Sequence, residues 1–139
     1  MNILVVEDNK FEQEIMKEAF QQSGSISSLY MVNDGVEALQ FLNHEGPFQS
    51  VPKPNLIILD LNLPKKNGRE VLAEIKGDPQ KANIPVLIFS NSDTAKDICE
   101  CYSLKANAYL TKPYDFQEFV KLVKLIDNFW VKSVQYCSR

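Results

Sequence analysis

The sequence has few of the residues that build disulfide frameworks or zinc sites. Its 139 residues include three cysteines, one histidine and one tryptophan. Cys99 and Cys101 lie two positions apart in a segment of helical pattern, so their side chains point in different directions, and neither they nor Cys137 form a Cys-x-x-Cys pair. His44 stands alone in a polar loop. We therefore expect three reduced thiols, a surface histidine without a phosphotransfer role, and no zinc site.

A basic charge balance and a long apolar run are also missing. The formal net charge is −3, which argues against nonspecific binding to nucleic acid. No segment approaches the roughly 20 apolar residues of a membrane span, and no basic leader precedes the first apolar run. With 45% hydrophobic and 24% charged residues, the composition is typical of one globular domain. We expect a cytoplasmic protein that contacts neither membrane nor nucleic acid.

Short apolar runs alternate along the chain with segments in which apolar residues recur at helical spacing. The runs predict five strands, at residues 3–6, 28–32, 56–59, 86–89 and 108–111. The first helical segment carries Phe11, Ile15, Met16, Ala19 and Phe20 on one face. Five strand–helix pairs predict an α/β fold, a doubly wound parallel sheet of order 2-1-3-4-5 with helices on both faces.

Acidic side chains follow two strands that this order makes neighbours. Glu7 and Asp8 end the first strand, and Asp60 ends the third. Because parallel strands end at the same edge of a sheet, we expect these carboxylates to meet there. Mg²⁺ prefers oxygen ligands, so Asp8, Asp60 and the backbone carbonyl of Asn62 are candidate ligands, with Glu7 acting through a water molecule. Without a cation, such clustered carboxylates would have raised pKa values.

The remaining polar residues at this edge suit phosphoryl transfer. Asp60 ends the central strand and is the candidate nucleophile. Lys112 follows the fifth strand and supplies a compact positive charge, while Ser90 follows the fourth and supplies a hydroxyl donor. Phosphoryl transfer depends mainly on positioning and charge neutralisation. The sequence therefore predicts a magnesium-dependent phosphoryl site.

These residues resemble the receiver domain of two-component response regulators over essentially the whole chain. The resemblance rests on residues in or directly after predicted strands: Glu7 and Asp8 as the acidic pair, Asp60 as the phosphoacceptor, Ser90 at the Ser/Thr position, Tyr109 as the switch aromatic and Lys112-Pro113 as the Lys-Pro signature. The resemblance implies a phosphorelay protein that catalyses only its own phosphorylation and dephosphorylation.

The resemblance also implies how such a protein would signal. A sensor histidine kinase would phosphorylate Asp60, after which Ser90 would move toward the phosphoryl group and Tyr109 would turn into the vacated space. The face built from the fourth helix, fifth strand and fifth helix would then change, which would allow homodimerisation or binding of a downstream protein or phosphotransfer partner. The family also implies a cis bond between Lys112 and Pro113.

A narrower resemblance comes from residues 54–76, the loop before them and the Phe129-Trp130 pair. These features are similar to the single-domain response regulators that work with cyanobacterial phytochromes. A phytochrome-type kinase, such as a bacteriophytochrome, would then be the partner. We expect one receiver domain over residues 1–139, with a short C-terminal helical extension and no effector domain. Phe129 and Trp130 are either core residues or part of a dimer surface.

Three other functions fit the sequence less well. A haloacid-dehalogenase-type phosphatase also uses a nucleophilic aspartate, but it needs a second aspartate where this chain has Asn62. A flavodoxin-like nucleotide binder needs a first loop rich in small residues, whereas Glu7 and Asp8 would repel phosphate. A degenerate receiver that only binds partners fits poorly with the complete acidic set.

Overall fold

The sheet forms where the sequence predicts it. In the computed structural model, which describes residues 1–137, five parallel strands pair in the order β2-β1-β3-β4-β5. The strand bounds are β1 Asn2–Val6, β2 Ser28–Val32, β3 Leu56–Leu59, β4 Val86–Ser90 and β5 Ala108–Thr111. Every side chain of β3 and β4 is buried, as expected for central strands that are covered on both faces. The predicted fold class and strand order are confirmed.

Five α-helices connect and flank the strands. They are α1 Lys10–Gln22, α2 Gly35–Leu42, α3 Gly68–Gly77, α4 Ala95–Ser103 and α5 Phe116–Ile126. Each begins after a residue whose side chain accepts a hydrogen bond from a backbone N–H in the first turn: Asn9, Asp34, Asn67, Thr94 and Asp115. Such caps satisfy N–H groups that have no partner within the helix and define where it begins.

The helices cover the sheet as two layers with separate cores. On one face, α1 and α5 pack on the strands through Met16, Phe20 and Val123. On the other face, α2 and α3 pack through residues such as Phe41 and Leu72, with α4 contributing its one buried residue, Cys101. This arrangement leaves the carboxyl ends of the strands as an edge lined by loops and by the beginnings of the helices.

The C-terminal extension continues α5 as a π-helical turn, Asp127–Val131. Trp130 is partly buried against the α1–α5 core, whereas Phe129 is 57% exposed. Trp130 therefore packs with the core, which is one of the two roles expected for the pair, whereas Phe129 lies outside the core. Asp127 is fully buried. Its carboxylate accepts a hydrogen bond from the hydroxyl of Ser23 at 2.7 Å and lies 3.2 Å from the ammonium of Lys132.

Two details differ from the sequence-based expectations. Phe11 is 69% exposed although it shares the helical spacing of the buried residues of α1, because it lies in the first turn, at the rim of the sheet. The bond between Lys112 and Pro113 is trans, and no peptide bond between residues 1 and 137 is cis. The expectation of a cis bond was wrong, and trans is the form that X–Pro bonds favour by about 0.5–1 kcal/mol.

The cysteines and the histidine lie as the sequence predicts, and the loop before β3 adds one short helix. Cys99 and Cys137 are exposed, Cys101 is buried, and all three are free thiols. His44 is exposed. A short 3₁₀ helix, Gly46–Phe48, interrupts the polar loop before β3 and was not predicted. No helix in residues 1–137 combines the length and apolarity required to span a bilayer.

Candidate functional site

The ends of β1 and β3 bring three carboxylates together. The backbone N–H of Asp60 donates to the carbonyl oxygen of Val6 at 3.1 Å, so the residues that follow the two strands are neighbours. Carboxylate oxygens of Glu7, Asp8 and Asp60 all lie within 4.8 Å of one another. Glu7 and Asp60 are buried, whereas Asp8 is exposed. The cluster therefore has a buried floor and one acid that faces solvent.

Lys112 reaches into this cluster from the end of β5. Its ammonium nitrogen lies 2.6 Å from an oxygen of Glu7 and 3.0 Å from an oxygen of Asp60, and its side chain is 2% exposed. The backbone explains the approach, because the N–H of Lys112 donates to the carbonyl of Ser90 at 2.7 Å and so continues the pairing of β5 with β4. An ammonium in this position supplies the positive charge that buried carboxylates require.

Burial and neighbouring charges shift the pKa values of this cluster in opposite directions. Burial raises the pKa of Glu7 to about 7, although the ammonium of Lys112 acts in the opposite direction. For Lys112, burial would lower the pKa, but the charges of Asp60 and Glu7 outweigh it and raise the pKa above its usual value. The lysine therefore remains charged at neutral pH.

The donor set fits a divalent cation. Three carboxylates share one small volume, and burial raises the pKa of Glu7 even though the ammonium of Lys112 lies beside it. Oxygen donors with no sulfur or imidazole among them are the set that hard cations such as Mg²⁺ prefer. A cation would favour the ionised form of every carboxylate in the cluster.

The other predicted site residues lie at the same edge. Asn62 is exposed, and its backbone N–H donates to Asp60 Oδ1 at 3.3 Å. Ser90 is fully buried, and its hydroxyl oxygen accepts from the N–H of Ser92 at 3.2 Å. Tyr109 is partly buried, and its hydroxyl donates to the carbonyl of Ser92 at 2.8 Å. Ser90 and Tyr109 are thus joined through one residue of the β4–α4 loop.

The sequence interpretation missed residues that surround the acids. Glu12, in the first turn of α1, lies 3.0 Å from the ammonium of Lys112. Gln13 is buried, and its amide donates to the carbonyl oxygen of Glu7. Their position in the sequence could have identified them, because α1 begins three residues after Glu7 and its first turn lies at the same edge of the sheet.

A second missed feature ties α3 to α4. Arg69 of α3 donates to Glu100 at 2.8 Å and also to Asp97 of α4. The hydroxyl of Ser92 donates to Asp97 as well, and this hydrogen bond lowers the pKa of that carboxyl. The β4–α4 loop that carries Ser92 is therefore connected both to the site and to an ion-pair cluster between two helices.

Comparison with known proteins agrees with this geometry. The family model described as the response regulator receiver domain matches residues 3–124. Response regulator Rcp1 of Synechocystis sp. is 42% identical over 132 residues, covering 95% of this chain and 90% of that protein.

Solved structures extend the comparison to the fold. The structure of the Mn²⁺-bound form of Rcp1 superposes with a TM-score of 0.94 at 41% identity, over 99% of both chains. The structure of the phosphorylated cyanobacterial phytochrome response regulator RcpA gives a TM-score of 0.94 at 42% identity, over 99% of this chain and 98% of that one. The chain therefore belongs to the response regulator receiver domain family and is similar to cyanobacterial phytochrome response regulators.

Proposed function

We propose that this protein is a response regulator whose receiver domain accepts a phosphoryl group from a histidine kinase on Asp60. The observation that carries the proposal is the convergence of Glu7, Asp8 and Lys112 on the Asp60 carboxylate at the end of the central strand. Family membership supports it, as does the phosphorylated state of the similar protein RcpA.

The proposed reaction is a transfer between a nitrogen and an oxygen nucleophile. A carboxylate oxygen of Asp60 forms a bond to phosphorus while the bond from phosphorus to the kinase imidazole breaks, and the electron pair stays on the imidazole nitrogen. Lys112, 3.0 Å from Asp60, is placed to neutralise charge on the transferred group. The hydroxyl of Ser90 is the proposed donor to another phosphoryl oxygen. Hydrolysis of the aspartyl phosphate by water would restore Asp60 and release inorganic phosphate.

We propose Mg²⁺ as the physiological cation. Asp8, Asp60 and the carbonyl oxygen of Asn62 would bind it directly, and Glu7 would do so through a water molecule. When bound, the ion would neutralise phosphoryl oxygen charge that Lys112 alone cannot balance. The Mn²⁺-bound form of the similar protein Rcp1 supports a divalent cation at this kind of site.

The proposed output is a change in the face formed by α4, β5 and α5. Ser90 and Tyr109 both contact Ser92, so movement of the Ser90 hydroxyl toward a phosphoryl group would alter the loop that holds Tyr109. A shift between two states requires only a few kcal/mol of differential stabilisation. We propose that this face binds a downstream protein or phosphotransfer partner, or a second copy of the chain.

The proposed kinase partner is of the phytochrome type. Its support is the similarity to Rcp1 and to the phytochrome response regulator RcpA over nearly the whole chain. The proposal also includes a receiver domain over residues 1–139 and the cytoplasmic location expected from the sequence.

The test is phosphorylation by a small donor, followed by intact mass. The protein is incubated with acetyl phosphate and Mg²⁺, and we expect one phosphoryl adduct per chain. Asp60→Asn should abolish the adduct, EDTA should greatly reduce it, and Asp93→Asn, which changes an exposed aspartate in the β4–α4 loop, should leave it unchanged. An adduct that persists in Asp60→Asn would reject the site assignment.

A further inference from the structure

Lys112 contacts a third carboxylate besides the two expected ones. Glu12 Oε1 lies 3.0 Å from the ammonium nitrogen, the same distance as that between the ammonium and Asp60 Oδ2. The Glu12 side chain is 19% exposed, and Lys112 is 2% exposed, so this ion pair is more shielded than a surface pair. Glu12 belongs to α1, whereas the other partners follow strands.

An ammonium group has three N–H donors. In this structure, three carboxylates lie 2.6 to 3.0 Å from the ammonium nitrogen and compete for those donors: Glu7, Glu12 and Asp60. A phosphoryl group on Asp60 brings further acceptor oxygens to the same ammonium. Glu7 belongs to the proposed cation cluster, so Glu12 is the partner of Lys112 that has no other assigned role.

We propose that Glu12 is a positioning residue that shares the ammonium of Lys112 with Asp60 and thereby weakens the site's affinity for a phosphoryl group. This inference rests on the proposed function. With Glu12 ionised, the ammonium is held on the α1 side of the cluster, and part of its charge is compensated before the phosphoryl group arrives. Removing that carboxylate leaves Lys112 freer to bind phosphoryl oxygens.

The side chain of Glu12 can be substituted without disturbing the start of α1. The N-cap bond of α1 runs from the backbone N–H of Glu12 to Asn9 Oδ1 and does not involve the Glu12 side chain. Gln has nearly the same helix propensity and size as Glu, so Glu12→Gln removes the charge while keeping the helix start. Glu14 provides the matched control, because it lies on the same helix, is exposed, and forms an ion pair with Lys17 at 3.3 Å.

The experiment measures the affinity for beryllofluoride, a phosphoryl mimic, at constant Mg²⁺. Binding is followed through the amide resonances of the intact chain, which give the beryllofluoride concentration at half-saturation. Because a partly shielded pair is stronger than an exposed one, we expect half-saturation of Glu12→Gln at a concentration about three- to tenfold lower than for the unmodified protein. Glu14→Gln should stay within about twofold of the unmodified protein, since exposed and distant charges are screened.

A second readout tests whether Glu12 acts through Lys112. The ε-methylene and ammonium resonances of Lys112, assigned with Lys112→Arg, should shift in Glu12→Gln without added ligand and should not shift in Glu14→Gln. Equal affinity in Glu12→Gln and the unmodified protein, or an unshifted Lys112, would overturn the inference. Absence of binding by the unmodified protein would instead reject the proposed function, and this inference with it.

Discussion

Gly68 provides the sharpest test of how the site is built. It is the first residue of α3, and its N–H donates to the carbonyl of Leu61 at 2.9 Å, so the helix begins directly against the loop that follows Asp60. A Cβ atom on Gly68 would lie 2.2 Å from the Asp60 carbonyl oxygen and 2.6 Å from Leu61 Cα. Both neighbours are backbone atoms and cannot turn away by changing rotamer. Gly68→Ala must therefore separate α3 from the end of β3.

The size of the destabilisation follows from the steric overlap between the added Cβ atom and the backbone. Cβ contacts under 3.0 Å are essentially never seen, so the two backbone segments must move apart by close to 1 Å. Overpacking of this kind costs about 1–3 kcal/mol. The upper part of that range applies here, because the N–H of Asp60 is bonded to Val6 within the sheet and resists the movement. We expect a loss of about 2 kcal/mol, equivalent to a melting temperature lower by roughly 6–10 °C.

The assay is equilibrium urea unfolding of Gly68→Ala and Gly77→Ala. Gly77 ends the same helix, and a Cβ there meets no atom within 4 Å, so alanine should be neutral or stabilising by up to about 1 kcal/mol. We also expect Gly68→Ala to take up the phosphoryl group of acetyl phosphate more slowly, since Asp60 must move. Equal stability of the two variants would refute the claim that the backbones meet at Gly68.

Two further outcomes are expected. Arg69→Met should lower the free energy of unfolding by only about 0.5–1 kcal/mol, because its ion pairs to α4 are about a third exposed, and the difference should shrink in 1 M salt; a loss several times larger would contradict this. Beryllofluoride with Mg²⁺ should increase self-association through the face of α4, β5 and α5, measured by sedimentation velocity; an unchanged sedimentation coefficient would remove the homodimer from the proposal.

Much of the candidate site was predictable because it depends on the backbone of a parallel sheet. Continuous apolar runs mark buried strands, and the residue after each strand must lie at the carboxyl edge. Glu7, Asp8 and Asp60 therefore had to be near one another once the strand order was chosen, and the structure brings their oxygens within 4.8 Å. Lys112 followed by the same reasoning from the end of β5.

Contacts made by helix side chains were not predictable in the same way. Whether Glu12 or Phe11 points at the site depends on the rotation and tilt of α1, which the packing of its buried face on the sheet determines. The link from Tyr109 to the carbonyl of Ser92 depends on the path of the β4–α4 loop. The trans bond before Pro113 is a local choice between two forms of similar energy, which a sequence pattern does not resolve.

The sequence by itself therefore determined the order of elements, the sheet edge that carries the acids, and the receiver family. Only the tertiary structure decided that Lys112 is shared among three carboxylates and that one of them comes from α1. The physical reason is that strand ends are positioned by hydrogen-bonded pairing, which a periodic pattern encodes. Distances between side chains of separate elements instead depend on packing that involves the whole chain.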